Sequence, residues 1–234
     1  MKKLNYFLFF LSFLYFNIYY FLGSIFVGWI LSGIVVSCIY HRQISHRIYQ
    51  YKNNLVENIS YFLIIASGQG SPLTWAYIHR LHHKYTDKEK DPQSPIIVGK
   101  LKTFFSDYKI NYPETRIIRD LLQDKKIMFI HKNYDKLFFI YLLLWLLVDP
   151  IFSLYIVSGV YIWCSFFTGL LNTVAHKLKK QGPPYAQNMP CTILFWGENY
   201  HLTHHLSPYL IKHGSCDTGY FFIKIFLGKI PKNK

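Results

Sequence analysis

Acidic residues are scarce in this chain: 12 Asp and Glu stand against 26 Lys and Arg, for a net charge of +14. Charge of either sign is missing altogether from Leu4 to Tyr40. That run would measure roughly 55 Å as helix at ~1.5 Å per residue, long enough for two passes of a ~30 Å hydrocarbon core. Paired cysteines are also missing. Cys38, Cys164, Cys191 and Cys216 form no CxxC motif, and Cys38 and Cys164 fall in apolar runs, which argues against a disulfide framework. A secretory leader is excluded by length, because its apolar region runs ~7–15 residues to a small-residue cleavage site, whereas here the uncharged stretch ends on a histidine cluster. No internal repeat or low-complexity tract is present beyond two histidine triplets, so the chain reads as one domain, 1–234.

What is present in quantity is apolar and aromatic. Hydrophobic residues make up 51% and aromatics 19%, a content that suits the interfacial belts of a membrane protein. Gly23-Ser24, near the middle of the first uncharged run, is the expected turn of a helical hairpin. A second uncharged region from Leu137 to His176 is broken by Asp149-Pro150, which ends one helix near Val148 and starts another at about Ile151. The first of these helices must begin nearer Met128 to reach across, leaving His131, Lys132, Asp135 and Lys136 at the interface. Leu55 to Ser67 is apolar too, but Glu57 and Asn58 near its start favour a shallow, interfacial helix. The expected architecture is an all-α membrane protein of four transmembrane helices in two hairpins, spans approximately 4–22, 24–40, 129–148 and 151–172. A cytosolic helical cap, 41–128 and 173–234, would hold a histidine-rich di-metal site. The cations flank these spans: Lys2, Lys3, Arg42, Arg47, Lys52, Lys84, Lys177, Lys179, Lys180 and, in the tail, Lys224, Lys229, Lys232 and Lys234. By the positive-inside rule both termini and every histidine cluster face the cytoplasm. Anionic lipid headgroups suffice as partners for the excess charge, with no nucleic acid required.

Nine of the 11 histidines fall in four short clusters: His41 and His46; His79, His82 and His83; His176, four residues after Asn172; and His201, His204 and His205. Histidines at i, i+3 and i+4 share one helix face, so each triplet could hold one metal ion. His41 and His46 are i, i+5, about 140° apart on a regular helix, and share a site only if the helix bends or ends there. A helix boundary is therefore expected near His46. Protonated, these histidines would repel one another; neutral, they need partners, and coordination satisfies them. His131 and His213 stand alone and read as hydrogen-bonded packing residues. A zinc, copper or nickel transporter is the non-catalytic alternative, but transporter ligands sit at membrane depth on broken helices, whereas these clusters lie just outside the spans.

The flanking residues narrow the choice. His41-Arg42-Gln43-Ile44-Ser45-His46-Arg47 follows the second span, Trp75 to Asp87 leads into Asp91-Pro92-Gln93-Ser94, and Gly197-Glu198-Asn199-Tyr200-His201 opens the last box, with Asp217-Thr218-Gly219 after it. From about Gly28 to Gly228 the chain resembles the integral-membrane fatty acid desaturases, in particular their acyl-CoA, stearoyl-type Δ9 branch. The resemblance implies a centre of two iron ions using O2 as cosubstrate and reached by an acyl chain through a narrow tunnel. It implies His41, His46, His79, His82, His83, His176, His201, His204 and His205 as ligands, with Asn172 acting through a water. The product would be a cis double bond. Carried on the same resemblance, Trp75 lines the acyl tunnel. No cytochrome b5-like stretch lies within the chain, so electrons would come from a separate ferredoxin, rubredoxin or cytochrome b5-like partner. Di-iron lipid hydroxylases and ketolases use similar boxes and remain the alternative.

Ligating imidazoles usually give their other N–H to a carboxylate or carbonyl, which marks Glu198, Asp87 and Asp91 as the supporting residues. The chain departs from the resemblance at Tyr77 and Ile78, where acyl-CoA members carry an acid and, in animals, an arginine before it. It departs again at Leu202, in place of the usual Asn, and in a compressed segment from Gln181 to Trp196.

Overall fold

The structure, a computed structural model, describes residues 2–108, 114–178, 182–190 and 192–230. Lys179, Lys180, Gln181, Cys191, Lys232 and Lys234 lie outside the described residues. The regular structure is almost entirely helical.

Helix α1, Lys2–Ser12, runs through a 3-10 turn at Phe13–Tyr15 into helix α2, Ile18–Ser45. The turn of this first hairpin therefore lies at 16–17 and not at Gly23-Ser24, which is in mid-helix. The reason is capping. The Asn17 side-chain oxygen accepts the N–H groups of Tyr19 and Tyr20 at 3.0 and 3.1 Å, satisfying two orphan donors at the start of α2. The Tyr155 hydroxyl pins the same turn, donating to Ser12 O at 2.9 Å and accepting from Asn17 N at 3.1 Å. At 11 residues α1 is shorter than the expected span. Gly28, further along α2, is there for close packing: a Cβ on it would come within 2.5 Å of Trp163 Cβ.

From Ser32 onward α2 widens into π-type winding, in which backbone bonds run between residues five apart. His46 N donates to His41 O at 3.2 Å, so residues i and i+5 stack on one face where a regular helix would separate them. The helix then stops at Ser45, as expected, and Arg47 turns the chain through a left-handed φ of 51°. A short strand β1, Gln50–Tyr51, pairs antiparallel with β2, Gly228–Lys229, tying this corner to the tail.

Helix α3, Asn54–Ser67, leaves Leu55, Ile59 and Phe62 exposed on its outer face. Helix α4, Pro72–Tyr85, starts on a Ser71 cap with Pro72 in the first turn. Short helices α5, Lys100–Phe104, and α6, Arg119–Leu122, lead to α7, Lys125–Val148. Asp149 ends α7 and caps α8, Pro150–Val174, through Phe152 N at 3.0 Å. Tyr20 and Phe152 rings meet at 5.1 Å, so the turns of the two hairpins lie at the same end of the molecule. Helices α9, Thr192–Phe195, α10, His201–Leu206, and α11, Thr218–Leu227, complete the opposite end. Among the described residues α2 and α8 are long and apolar enough to cross a membrane; α7 matches them in length but carries Lys125, Lys126, Lys132, Asp135 and Lys136 in its first half. Helices α1, α2 and α7 expose Phe7, Phe10, Tyr19, Phe26, Leu144 and Leu147, large apolar side chains of the kind that mark a membrane or protein contact when grouped.

Candidate metal centre

Four elements deliver the histidines. The end of α2 brings His41 and His46, α4 brings His79, His82 and His83, the residue pair after α8 ends on His176, and α10 brings His201, His204 and His205. They form two groups, each with one ligand atom per residue and all such atoms within 4.8 Å of one another: His41, His46, His79, His83 and His204; and His82, His176, His201 and His205. All nine clustered histidines are present, but each triplet is divided between the two groups, so one triplet per ion does not fit the arrangement. On α4, His79 and His83 are a full turn apart and face the first group, while His82, rotated about 100° from His83, faces the second. On α10 the division is reversed, with His201 and His205 in the second group and His204 in the first. Two helices that meet through their histidine rings thus share both groups, and His83 stacks on His205 at 4.6 Å across the boundary.

The geometry within each group is that of imidazoles aimed at a common point. In the first, Nε2 of His41 and His204 are 2.8 Å apart, those of His46 and His79 2.9 Å, and those of His83 and His204 2.8 Å. In the second, the Nε2 pairs His176–His201, His201–His205 and His82–His205 stand at 2.9, 3.1 and 3.2 Å. Two nitrogens bound at right angles to one ion, each about 2.1 Å from it, would be about 3.0 Å apart.

Carboxylates settle which nitrogen carries the proton. His41 Nδ1 lies 2.9 Å from Glu198 Oε2, His82 Nδ1 2.8 Å from Asp91 Oδ2, and His176 Nδ1 2.8 Å from Asp87 Oδ2. A carboxylate only accepts, so in these three rings Nδ1–H donates and Nε2 keeps its lone pair, facing the other imidazoles of its group. What fits the residues to metal ions is this convergence of four or five largely buried imidazole nitrogens within 4.8 Å of one another. Burial, reinforced by the neighbouring imidazoles, holds His46, His79, His83, His201, His204 and His205 well below the ordinary imidazole range. Burial also lowers His176 against the pull of Asp87, whereas for His82 burial is outweighed by Asp91 and the imidazole is raised. Neutral rings are the ligand form. Burial opposes ionisation of Glu198 too, but His41 and Arg42 keep its carboxyl well below the usual range.

The supporting acids are themselves held. Asp87, in a left-handed conformation at φ 58°, accepts Ser94 Oγ at 2.6 Å and Tyr185 N at 2.8 Å; Asp91 accepts Asp87 N and Gln93 N. The compressed segment after α8 supplies Tyr185 N, and its Asn188 caps α10 through Leu202 N at 3.0 Å. Trp75 stacks on His79 at 5.1 Å and on Tyr40 at 5.2 Å. Asn172 sits one turn before His176 on α8, with the Tyr108 hydroxyl as a hydrogen-bond neighbour. His131 lies away from both groups and pairs its Nδ1 with Ser71 Oγ at 2.6 Å. His213 is buried in the layer behind the site, its ring 4.9 Å from that of His204 and its Nδ1 3.2 Å from Arg42 Nη2. Arg42, expected among the cations that flank the spans and meet lipid headgroups, is instead fully buried and paired with Glu198 and Asp217.

Comparison with known proteins agrees with this chemistry. The chain is 29% identical over 202 residues to an acyl-CoA 5-desaturase of Anemone leveillei, covering 80% of this chain and 62% of that protein. It is 28% identical over 192 residues to an sn-1 stearoyl-lipid 9-desaturase of Anabaena variabilis, covering 75% of this chain and 67% of the relative. A Delta-9 desaturase-like 5 protein of Arabidopsis thaliana shares 46% identity over 57 residues, 24% of this chain and 19% of its own length. The chain thus spans less than two thirds of the first of these relatives. The family model of the fatty acid desaturases matches residues 15–211, a stretch that holds all nine clustered histidines, and the chain belongs to that family.

Proposed function

We propose that this protein is a membrane-embedded oxidoreductase that introduces a cis double bond, of Δ9 type, into a saturated acyl chain carried on CoA or on a lipid. The observation that carries the reading is the pair of interleaved imidazole groups with their ring nitrogens converging on common points. His41, His46, His79, His83 and His204 would hold one iron and His82, His176, His201 and His205 the other, with Asn172 completing the second through a water. When bound, the metal pair supplies the O2-dependent oxidation that an unactivated methylene requires, since such a carbon offers no acid or base handle. The electron count defines the partner. Removing two hydrogens from adjacent carbons yields two electrons, and reducing O2 to two waters takes four, so two more electrons and two protons must come from a separate ferredoxin, rubredoxin or cytochrome b5-like donor.

The protein's share is orientation and exclusion of water. Asp87, Asp91 and Glu198 fix three rings in one tautomer, and imidazoles so fixed need no rearrangement when the metal charge changes. Trp75, held by stacking on Tyr40 and His79, is the apolar wall against which the acyl chain lies. The two hairpins, their turns at one end and the histidines at the other, support a four-pass topology with termini and metal centre on the cytoplasmic side. In that arrangement the bare aromatic flanks of α1, α2 and α7 face lipid, and α3 rests at the interface.

Expression in a desaturase-deficient host, followed by fatty-acid profiling, is the direct test. A new cis-monoenoic acid with its double bond at carbon 9 is the expected product. A hydroxylated acid in its place would assign the chain to the hydroxylase branch, and an unchanged profile alongside verified iron loading and electron donor would overturn the reading.

A further inference from the structure

Arg42 is the largest of the fully buried side chains. A buried guanidinium is costly unless it is paired and hydrogen-bonded, and here each of its three nitrogens has an acceptor. Its Nε and Nη2 reach Glu198 Oε1 at 3.2 and 3.1 Å, Nη2 reaches Asp217 Oδ1 at 3.0 Å and His213 Nδ1 at 3.2 Å, and Nη1 donates to Ile211 O at 3.3 Å. The two carboxylates then do different things. Glu198 spends Oε1 on Arg42 and on Ser37 Oγ, 2.5 Å away, which leaves Oε2 turned to His41 Nδ1. Asp217 uses Oδ1 for Arg42 and Tyr220 N, and Oδ2 for His213 N at 2.8 Å. One side chain on α2 thereby grips the segment on both sides of α10. The fit is close: Gly197, at φ 88°, has no room for a Cβ, which would fall 2.1 Å from Asp217 Oδ1.

We infer that Arg42 is a positioning residue for the five-histidine group: by holding one oxygen of Glu198 it presents the other to His41, and so aims the ring whose Nε2 meets that of His204. The inference rests on the metal-centre reading above. It is specific to one group, because Asp87 and Asp91, which serve the other, take their bonds from Ser94, Tyr185, Gln93 and each other and never touch an arginine in the described structure.

That asymmetry provides the test. Full-length protein in lipid nanodiscs is stripped of metal and titrated with Co2+, whose visible bands report the two groups as separate binding phases. Wild type taking fewer than two Co2+ per chain would sink the metal-centre reading itself. With two bound, Arg42→Met should weaken one phase 10- to 100-fold and leave the other at wild-type affinity. Glu198→Gln, which keeps shape and volume, should weaken the same phase, and the double variant should lose no more than either single one. Arg42→Lys, which retains charge but lacks the fork that bridges two carboxylates, should fall between wild type and Arg42→Met. Equal weakening of both phases by Arg42→Met, or additive losses in the double variant, overturns the inference. Should Arg42→Met fail to fold, a selective loss in both Arg42→Lys and Glu198→Gln still supports it, and its absence from both refutes it.

Discussion

Individual histidines in this chain differ in kind, and their surroundings say how. His176 faces His201 with Nε2 and gives Nδ1–H to Asp87, so removing it takes one nitrogen out of the four-histidine group and one hydrogen bond from a buried carboxylate. Among the described residues His131 is hydrogen-bonded to the Ser71 hydroxyl that caps α4. His176→Ala and His204→Ala should each lower desaturation at least 100-fold with membrane insertion intact. His131→Ala should keep most activity and lose about 1 kcal/mol of stability, the worth of a single hydrogen bond. Product yield and thermal denaturation of the three variants check this; equal activity loss in all three would mean that the two groups have no special role. The residue types and spacings were visible in the sequence. So were the three supporting carboxylates, but not their pairing: Glu198 and His41 are far apart along the chain, and only folding makes one the acceptor of the other.

At the scale of elements, helix caps decided what apolar runs alone could not. The uncharged stretch from Leu4 to Tyr40 has no periodicity that places a turn, and Gly23-Ser24 looked like punctuation. Asn17 prevailed because its oxygen satisfies two N–H groups at once and Tyr155 closes the loop around it. Asn17→Ala should cost about 1 kcal/mol, read as a lower unfolding temperature in detergent, while Ser24→Ala, whose hydroxyl bonds only back to Phe21 O, should be silent. A larger effect at Ser24 than at Asn17 would restore the turn to the middle of the run. The Asp149-Pro150 boundary was legible beforehand because proline removes a donor and aspartate supplies a cap, both local effects. The π-type winding of α2 was not legible, although the i, i+5 spacing of His41 and His46 required some departure from regular helix.

For the whole molecule the decisive question is on which side of a bilayer each end stands. Lys90 is exposed beside the histidines, and Phe16 is exposed at the opposite end, in the turn of the first hairpin. In a Cys-free background a cysteine at position 16 should react with an impermeant maleimide in intact cells, and one at position 90 only after the membrane is opened. Position 16 is a better probe than Asp149, which caps α8. Labelling of both from the same side would remove the four-pass topology, though not the histidine geometry.

The sequence by itself determined the donor set, the helical class and the family resemblance, because these depend on residue type and on spacings of three, four and five along one chain. Tertiary structure alone decided how the donors divide. Each triplet looks like a complete site when its helix is considered in isolation, but α4 and α10 face one another, and a ligand one residue further along a helix is rotated about 100° toward the other group. The same holds for Arg42, whose counter-charges lie more than a hundred residues away: a buried cation must be neutralised, but which acids come to it is settled only when the last third of the chain folds back over α2.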